Sequence, residues 1–237
     1  MRSSFVSDTY TRIARVKPAL LVVAPAALAI LAWFPDAKLG AVWAVIVTSG
    51  GTYLMSQVAR ALGKAKEQDL FAKLGGHPTI KRLKQLDAPN AMTLQRYRRK
   101  IQQLLPDHPL PTPEQERNDP GAANRNYLSI MQFLIEQTRD KTRFDLLFQE
   151  NCQYGFARNL WAMKAWGVGI CLVSLAAVCY LAYLQHLGPA GIVPLTLICI
   201  ATDVIILVAW LFWVTPKLAK IPSEAYADRL LASLDSL

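Results

Sequence analysis

Charged side chains are scarce in this sequence: Asp, Glu, Lys and Arg make up 18% of its 237 residues, where a water-soluble domain carries about a quarter. With 53% hydrophobic residues, such a chain cannot present an ordinary soluble surface along its whole length. Cysteine is sparse too. The four thiols form no CxxC and no Cys/His cluster, which excludes a disulfide framework and a zinc site. Cys171, Cys179 and Cys199 lie inside apolar runs and Cys152 in a polar segment, as small hydrophobes of a reducing compartment do. The sequence also lacks a Gly-rich phosphate loop, GxSxG, HExxH and paired carboxylates. His77 and His108 stand beside prolines and His186 ends an apolar run. No enzymatic activity, cofactor or metal is expected. No internal repeat, low-complexity tract or convincing strand is present.

What the sequence does have is long apolar runs. Residues 18–34 and 39–59 are uncharged, 165–187 hold only His186 as an ionisable base, and 188–216 hold Asp203 as their single charge. Each is long enough to cross a bilayer as a helix, and only helices satisfy their own backbone there in a single run. The links Pro35-Asp36-Ala37-Lys38 and Gly188-Pro189-Ala190-Gly191 are short, so the spans pair as two hairpins. The first run has the basic approach of a signal peptide, but Trp33, Phe34 and Pro35 leave no small-x-small cleavage site, so it is read as a retained span.

Net charge is +9, and its distribution sets the orientation. Arg2, Arg12, Arg15 and Lys17 precede the first run, and the two links hold only Lys38. Residues 60–164 carry 18 Lys and Arg against 11 acids, and Lys217, Lys220 and Arg229 follow the last run. The expectation is an all-α membrane protein: an N-terminal arm (1–17), a transmembrane hairpin (18–59), a basic helical cytoplasmic domain (60–164), a second hairpin (165–216) and an amphipathic tail (217–237). Both termini would be cytoplasmic, in a bacterial inner membrane.

The central segment reads as helices. Residues 60–74 extend the second span until Gly75-Gly76-His77-Pro78, after which Thr79 caps a basic helix through Asp87, ended by Pro89-Asn90. Residues 91–105 place Leu94, Tyr97, Ile101, Leu104 and Leu105 on one face. Four prolines occupy 106–113. Asp119-Pro120 is an N-cap followed by proline at the first helical position, opening a helix with Tyr127, Ile130, Met131, Leu134 and Ile135 inward. A last helix runs from Lys141 toward the third span, and Leu230, Leu231 and Leu234 make the tail amphipathic.

Asp203 carries the most information. A carboxylate at mid-span costs roughly 2.5–3.5 kcal/mol on insertion scales, so it either lines or gates a path, with Thr202 and Thr196 as neighbours, or holds a proton and locks packing through a facing hydroxyl. Thr48-Ser49-Gly50-Gly51-Thr52 interrupts the second span with small residues that permit close packing or a hinge. Thr48 or Ser49 is the expected partner of Asp203. Three basic clusters, Lys81-Arg82-x-Lys84, Arg96-x-Arg98-Arg99-Lys100 and Arg139-x-Lys141-x-Arg143, suit either anionic lipid headgroups or a nucleotide or oligonucleotide, with Tyr97, Tyr127 or Phe144 for stacking.

Several motifs, Leu74-Gly75-Gly76-x-Pro78-Thr79, Leu110-Pro111-Thr112-Pro113-Glu114, Asp119-Pro120, Glu136-Gln137-Thr138-Arg139-Asp140-Lys141-Thr142-x-Phe144 and Glu150-Asn151-x-x-Tyr154-Gly155-Phe156-x-Arg158-Asn159-Leu160, resemble a family of bacterial four-span proteins. His77 stands where that family has proline, and Ala157 where it has a second arginine. The family includes membrane effectors of anti-phage defence, such as the membrane component of Hailong-type systems. The resemblance implies a homo-oligomeric pore controlled by a nucleotide or oligonucleotide signal from a nucleotidyltransferase partner, with Glu150, Asn151, Tyr154, Gly155, Phe156, Arg158 and Asn159 coupling ligand to helix movement. As plain structure, Tyr154, Phe156 and Arg158 would be an interfacial belt and headgroup anchor. The other reading is a membrane-anchored scaffold that recruits a soluble partner.

Overall fold

A computed structural model describes residues 9–34, 37–86, 90–189 and 191–237. The expectations for Arg2, the Pro35-Asp36 link, Asp87, Pro89 and Ala190 lie outside the described residues. Among the described residues the chain is helical throughout, with no strand. The helices are α1 (Thr9–Trp33), α2 (Ala37–Ala65), α3 (Glu67–Lys73), α4 (Pro78–Leu83), α5 (Ala91–Leu104), α6 (Pro113–Asn118), α7 (Pro120–Gln137), α8 (Asp145–Ala162), α9 (Lys164–Leu187), α10 (Pro194–Trp213) and α11 (Lys220–Ala232). Four of them, α1, α2, α9 and α10, are long and apolar enough to cross a membrane. Their mean hydropathy is 2.0, 1.3, 2.1 and 2.5 in that order, so α2 is the most polar.

The chain divides into two compact units, Met1–Glu67 with Gly155–Ala219 and Gln68–Tyr154 with Lys220–Leu237. In the first unit α1 is the hub: α2, α9 and α10 all pack on it, and α9 also packs on α10. Val22, Ala59, Leu160, Met163, Cys171, Trp210 and Val214 form its main apolar cluster. Gly167 lets the Trp210 indole lie flat on α9, because a Cβ there would collide with the ring. Outward side chains stay apolar and uncovered, among them Val173 at 72% and Phe212 at 76% exposure. Exposing such groups to water costs about 1.5–3 kcal/mol each, whereas lipid covers them at no such cost.

The second unit closes around Ile80, Leu83, Ile101, Tyr127, Ile130, Leu134, Phe144 and Leu147, with Leu230, Leu231 and Leu234 from the chain's end. The tail is thus part of this core rather than a separate amphipathic segment: its three leucines are fully buried, and α11 packs on α4. Local capping places the helix ends. Gly75 and Gly76 adopt φ of 77° and 115°, a region open to glycine, and break the chain before α4. His77, not Thr79, caps α4, since its ring accepts from the Thr79 N–H at 3.3 Å and Pro78 takes the first helical position, where no N–H is needed. α4 stops at Leu83. Asn90 caps α5, accepting from the Met92 and Thr93 N–H groups. Thr112 and Gln115 form a capping box on α6, a helix hidden in the sequence by the surrounding prolines. Asp119 caps α7 as the Asp-Pro pair predicts. The helix expected from Lys141 begins at Asp145 instead, because Asp140 accepts from Thr142 and Arg143 and holds residues 141–144 in a turn. Those bonds, led by the Thr142 hydroxyl, hold the Asp140 carboxyl below its usual range.

Candidate functional site

Asp203 sits in α10, 0% exposed and enclosed by the helices of its own unit. Its Oδ2 lies 2.5 Å from the Ser174 hydroxyl of α9, and that hydroxyl lies 2.8 Å from the Pro25 carbonyl of α1. Three helices therefore meet through one serine. Oδ1 has no hydrogen-bond partner among the described residues. The expected partners Thr48 and Ser49 are elsewhere, because α10 packs on α9 and α1 while α2 packs on α1. Thr202 turns back to donate to the Ile198 carbonyl of its own helix at 2.8 Å. Thr196 is buried, two turns earlier on the same helix. Ser174 is the single Ser or Thr among residues 165–187, which is the signal that would have identified it.

A second polar node joins α1 to α8. Pro18 follows Ala14 by four residues and has no N–H, so the Ala14 carbonyl loses its usual helical donor, and residues Arg12–Val16 wind as a π-turn. The Asn159 side chain supplies a donor instead, 2.6 Å from that carbonyl. Asn159 is 1% exposed and needs Gly63 on α2, where any Cβ would strike its Oδ1. Arg158 donates to Asn159 at 3.3 Å and pairs with Glu67 at 2.7 Å. A Cβ on Gly155 would come within 2.8 Å of the Ala14 methyl. The residues expected to couple are thus divided. Gly155, Arg158 and Asn159 clamp the start of α1, and Phe156 packs on the apolar cluster of that unit. Tyr154 is buried in the other unit with Phe71 and Tyr226 stacked at 6.1 Å on either side. Glu150 and Asn151 are half-buried.

The three basic clusters are largely committed within the second unit. Arg82 makes a two-pronged pair with Asp228, and Lys81 donates to the Leu74 carbonyl. Arg96 pairs with Asp235 at 3.2 Å. Arg98 donates to Tyr127 and to the Pro111 carbonyl, Arg139 pairs with Glu136, Lys141 lies over Phe148, and Arg143 reaches the Ser236 carbonyl. Arg99 stays exposed, with Lys84 and Lys100 half-buried. Two of the aromatic platforms are core residues: Tyr127 is 0% exposed and Phe144 is buried, so neither offers a face for stacking. Tyr97 is half-buried beneath Arg96. Buried Glu116 accepts from Tyr127 at 2.5 Å and from the Gln85 and Leu86 N–H groups. Burial first, then this carboxylate, holds the Tyr127 phenol well above its usual value.

The division of charge differs from the sequence segments. The second unit holds 15 Lys and Arg against 13 Asp and Glu, a net of +2, and the first holds 11 against 4, a net of +7. The positive excess therefore belongs to the apolar bundle rather than to the helical unit.

Two outward features of the bundle remain. A groove of about 700 Å³ lies over α1 between α2 and α9, lined by Val23, Gly51, Met55, Trp166 and Ile170, with Ser174 in its wall. Along α2, Ser49, Gly50, Tyr53, Gln57, Arg60 and Lys64 are all exposed. At 100° per residue Ser49, Tyr53, Gln57, Arg60 and Lys64 share one face, about 22 Å long. No family model, curated protein or solved structure matches the chain.

Proposed function

We propose that this chain is the repeating subunit of an ion-conducting membrane effector, in which several copies set their α2 helices around a shared aqueous path. The observation that carries the reading is the exposed polar face of α2 from Ser49 to Lys64. Uncovered polar side chains are costly in hydrocarbon and mark pathways or interfaces. The rest of the bundle leaves this face open, while apolar side chains flank it, so copies that turn it inward give it water and give lipid the remainder. Of the residues expected at the path, Ser49 and Gly50 lie on this face. Thr48 and Gly51 lie on the opposite, inward side of α2, half-buried, Gly51 against Val23 of α1; Asp203 acts as a lock between helices through Ser174, and Thr202 bonds within its own helix.

In this reading both termini and the helical unit are cytoplasmic in a bacterial inner membrane, by the positive-inside rule. The family resemblance supplies the rest: anti-phage defence, a nucleotide or oligonucleotide signal and a nucleotidyltransferase partner. The charge balance narrows where an anionic signal would be held, since Arg99, Lys84 and Lys100 are the cluster cations that no internal hydrogen bond or ion pair engages among the described residues. The purified chain, reconstituted in liposomes, is expected to dissipate an ion gradient, and Ser49→Leu with Gln57→Leu to slow that flux at least tenfold. Tight liposomes at every protein density sink the pore. A second reading, a membrane-anchored scaffold, is favoured by uncovered apolar side chains on the helical unit, Met92 at 76% and Ile221 at 77% exposure. Recruitment of a soluble partner without flux would select it.

A further inference from the structure

The open face of α2 carries charge of one sign. From residue 37 to residue 65 the sequence holds three cations, Lys38, Arg60 and Lys64, and no Asp or Glu. At 100° per residue the three fall within an arc of about 80° that also contains Ser49 and Tyr53, and all are exposed. Arg60 and Lys64 stand one turn apart at one end of the polar stripe, and Lys38 stands at the other end of the helix. For Arg60 and Lys64 the remaining crossing helices offer no acid to offset the charge. α1, α9 and α10 contain one acid among their described residues, Asp203, and that acid is 0% exposed against Ser174. Glu67, just beyond α2, is already paired with Arg158.

We infer that the path conducts anions, chloride-sized or somewhat larger, and rejects small cations. Each copy contributes Arg60 and Lys64 to one mouth. Rings of Arg and Lys raise the local concentration of anions and repel cations, the arrangement found in anion pores. Val42 and Ile46, exposed on the same face, and the neutral Ser49, Tyr53 and Gln57 give the rest of the face no fixed negative charge to hold a cation. This inference rests on the pore reading given above, and its test separates the two.

The purified full chain is placed in planar bilayers of neutral phosphatidylcholine, which adds no surface charge of its own, under a gradient of potassium chloride. The expected reversal potential lies toward the chloride equilibrium, and Arg60→Glu with Lys64→Glu moves it toward potassium, taking the chloride-to-potassium permeability ratio from above one to below one. Arg60→Gln with Lys64→Gln, a gentler change, is expected to lie between. The Gln57→Cys variant is expected to react severalfold faster with a negatively charged thiol reagent than with a positively charged one, measured against the unmutated chain. Potassium selectivity in the unmutated chain overturns the anion assignment and leaves the pore standing. Chloride selectivity unmoved by either pair of variants, with no charge preference in the Gln57→Cys reaction, overturns the assignment to α2. A silent bilayer overturns the pore itself.

Discussion

Ser174 is a hydroxyl with one hydrogen to give and two oxygen neighbours, Asp203 Oδ2 at 2.5 Å and the Pro25 carbonyl at 2.8 Å. A second hydrogen is needed to satisfy both contacts, and an amide at position 203 brings one. Asp203→Asn is therefore expected to melt within about 1 kcal/mol of the unmutated chain in detergent. Ser174→Ala leaves a buried carboxyl with no partner and is expected to cost about 1–3 kcal/mol. A circular-dichroism melt in which the order is reversed rules out the three-oxygen contact as a lock. Asp203 is legible in the sequence as an anomaly because nothing else in residues 188–216 is charged. Its partner is marked only by being the single Ser or Thr among residues 165–187, since a run of apolar letters gives the depth of a residue but not which helix it faces. Asn159 is legible only as part of a motif. Its task follows from Pro18, four residues after Ala14, far away in the sequence.

At the scale of elements, caps decide most boundaries. Asp119-Pro120 announces a helix start because the side chain and the proline act within four residues, whereas Asn90, read with Pro89 as the end of the preceding helix, caps the next one. The short α6 is masked by its prolines. The turn at 141–144 looks helical in the sequence, but there the Asp140 side chain competes with helical hydrogen bonding over those few residues. α11 is the larger surprise. Leu230, Leu231 and Leu234 are legible as an apolar stripe, but the surface they cover lies more than 80 residues earlier in the chain, and periodicity carries no information about that. Leu230→Ala is expected to destabilise the second unit by about 2–5 kcal/mol, and removal of the residues after Ala219 to leave that unit protease-sensitive while the apolar bundle stays protected. Limited proteolysis that finds residues 68–154 equally resistant without the tail would contradict a core completed by α11.

The whole molecule consists of two units with unlike charge, +7 for the bundle and +2 for the helical unit. The sequence segments conceal this, because Arg60, Lys64, Lys66, Arg158 and Lys164 lie in the polar stretch by position but belong to the bundle by packing. With that excess at the helix ends, the positive-inside rule gives the proposed topology. Single cysteines at Met92 and at Pro189, in a chain whose exposed Cys179 is replaced by Ala, are expected to react with an impermeant thiol reagent from opposite sides of a sealed vesicle. Labelling of both from one side would refute four crossings. The helical unit is built from residues 68–154 and the last 18 of the chain, with α9 and α10 made in between. During synthesis the ribosome thus delivers every membrane helix before it releases the leucines that complete this unit. A chain cut after Ala219 keeps every residue of the bundle and lacks the leucines that complete the core of the helical unit. The two units are thus separable in the order of their synthesis: every residue of the bundle has been made by Ala219, and the core of the helical unit has not.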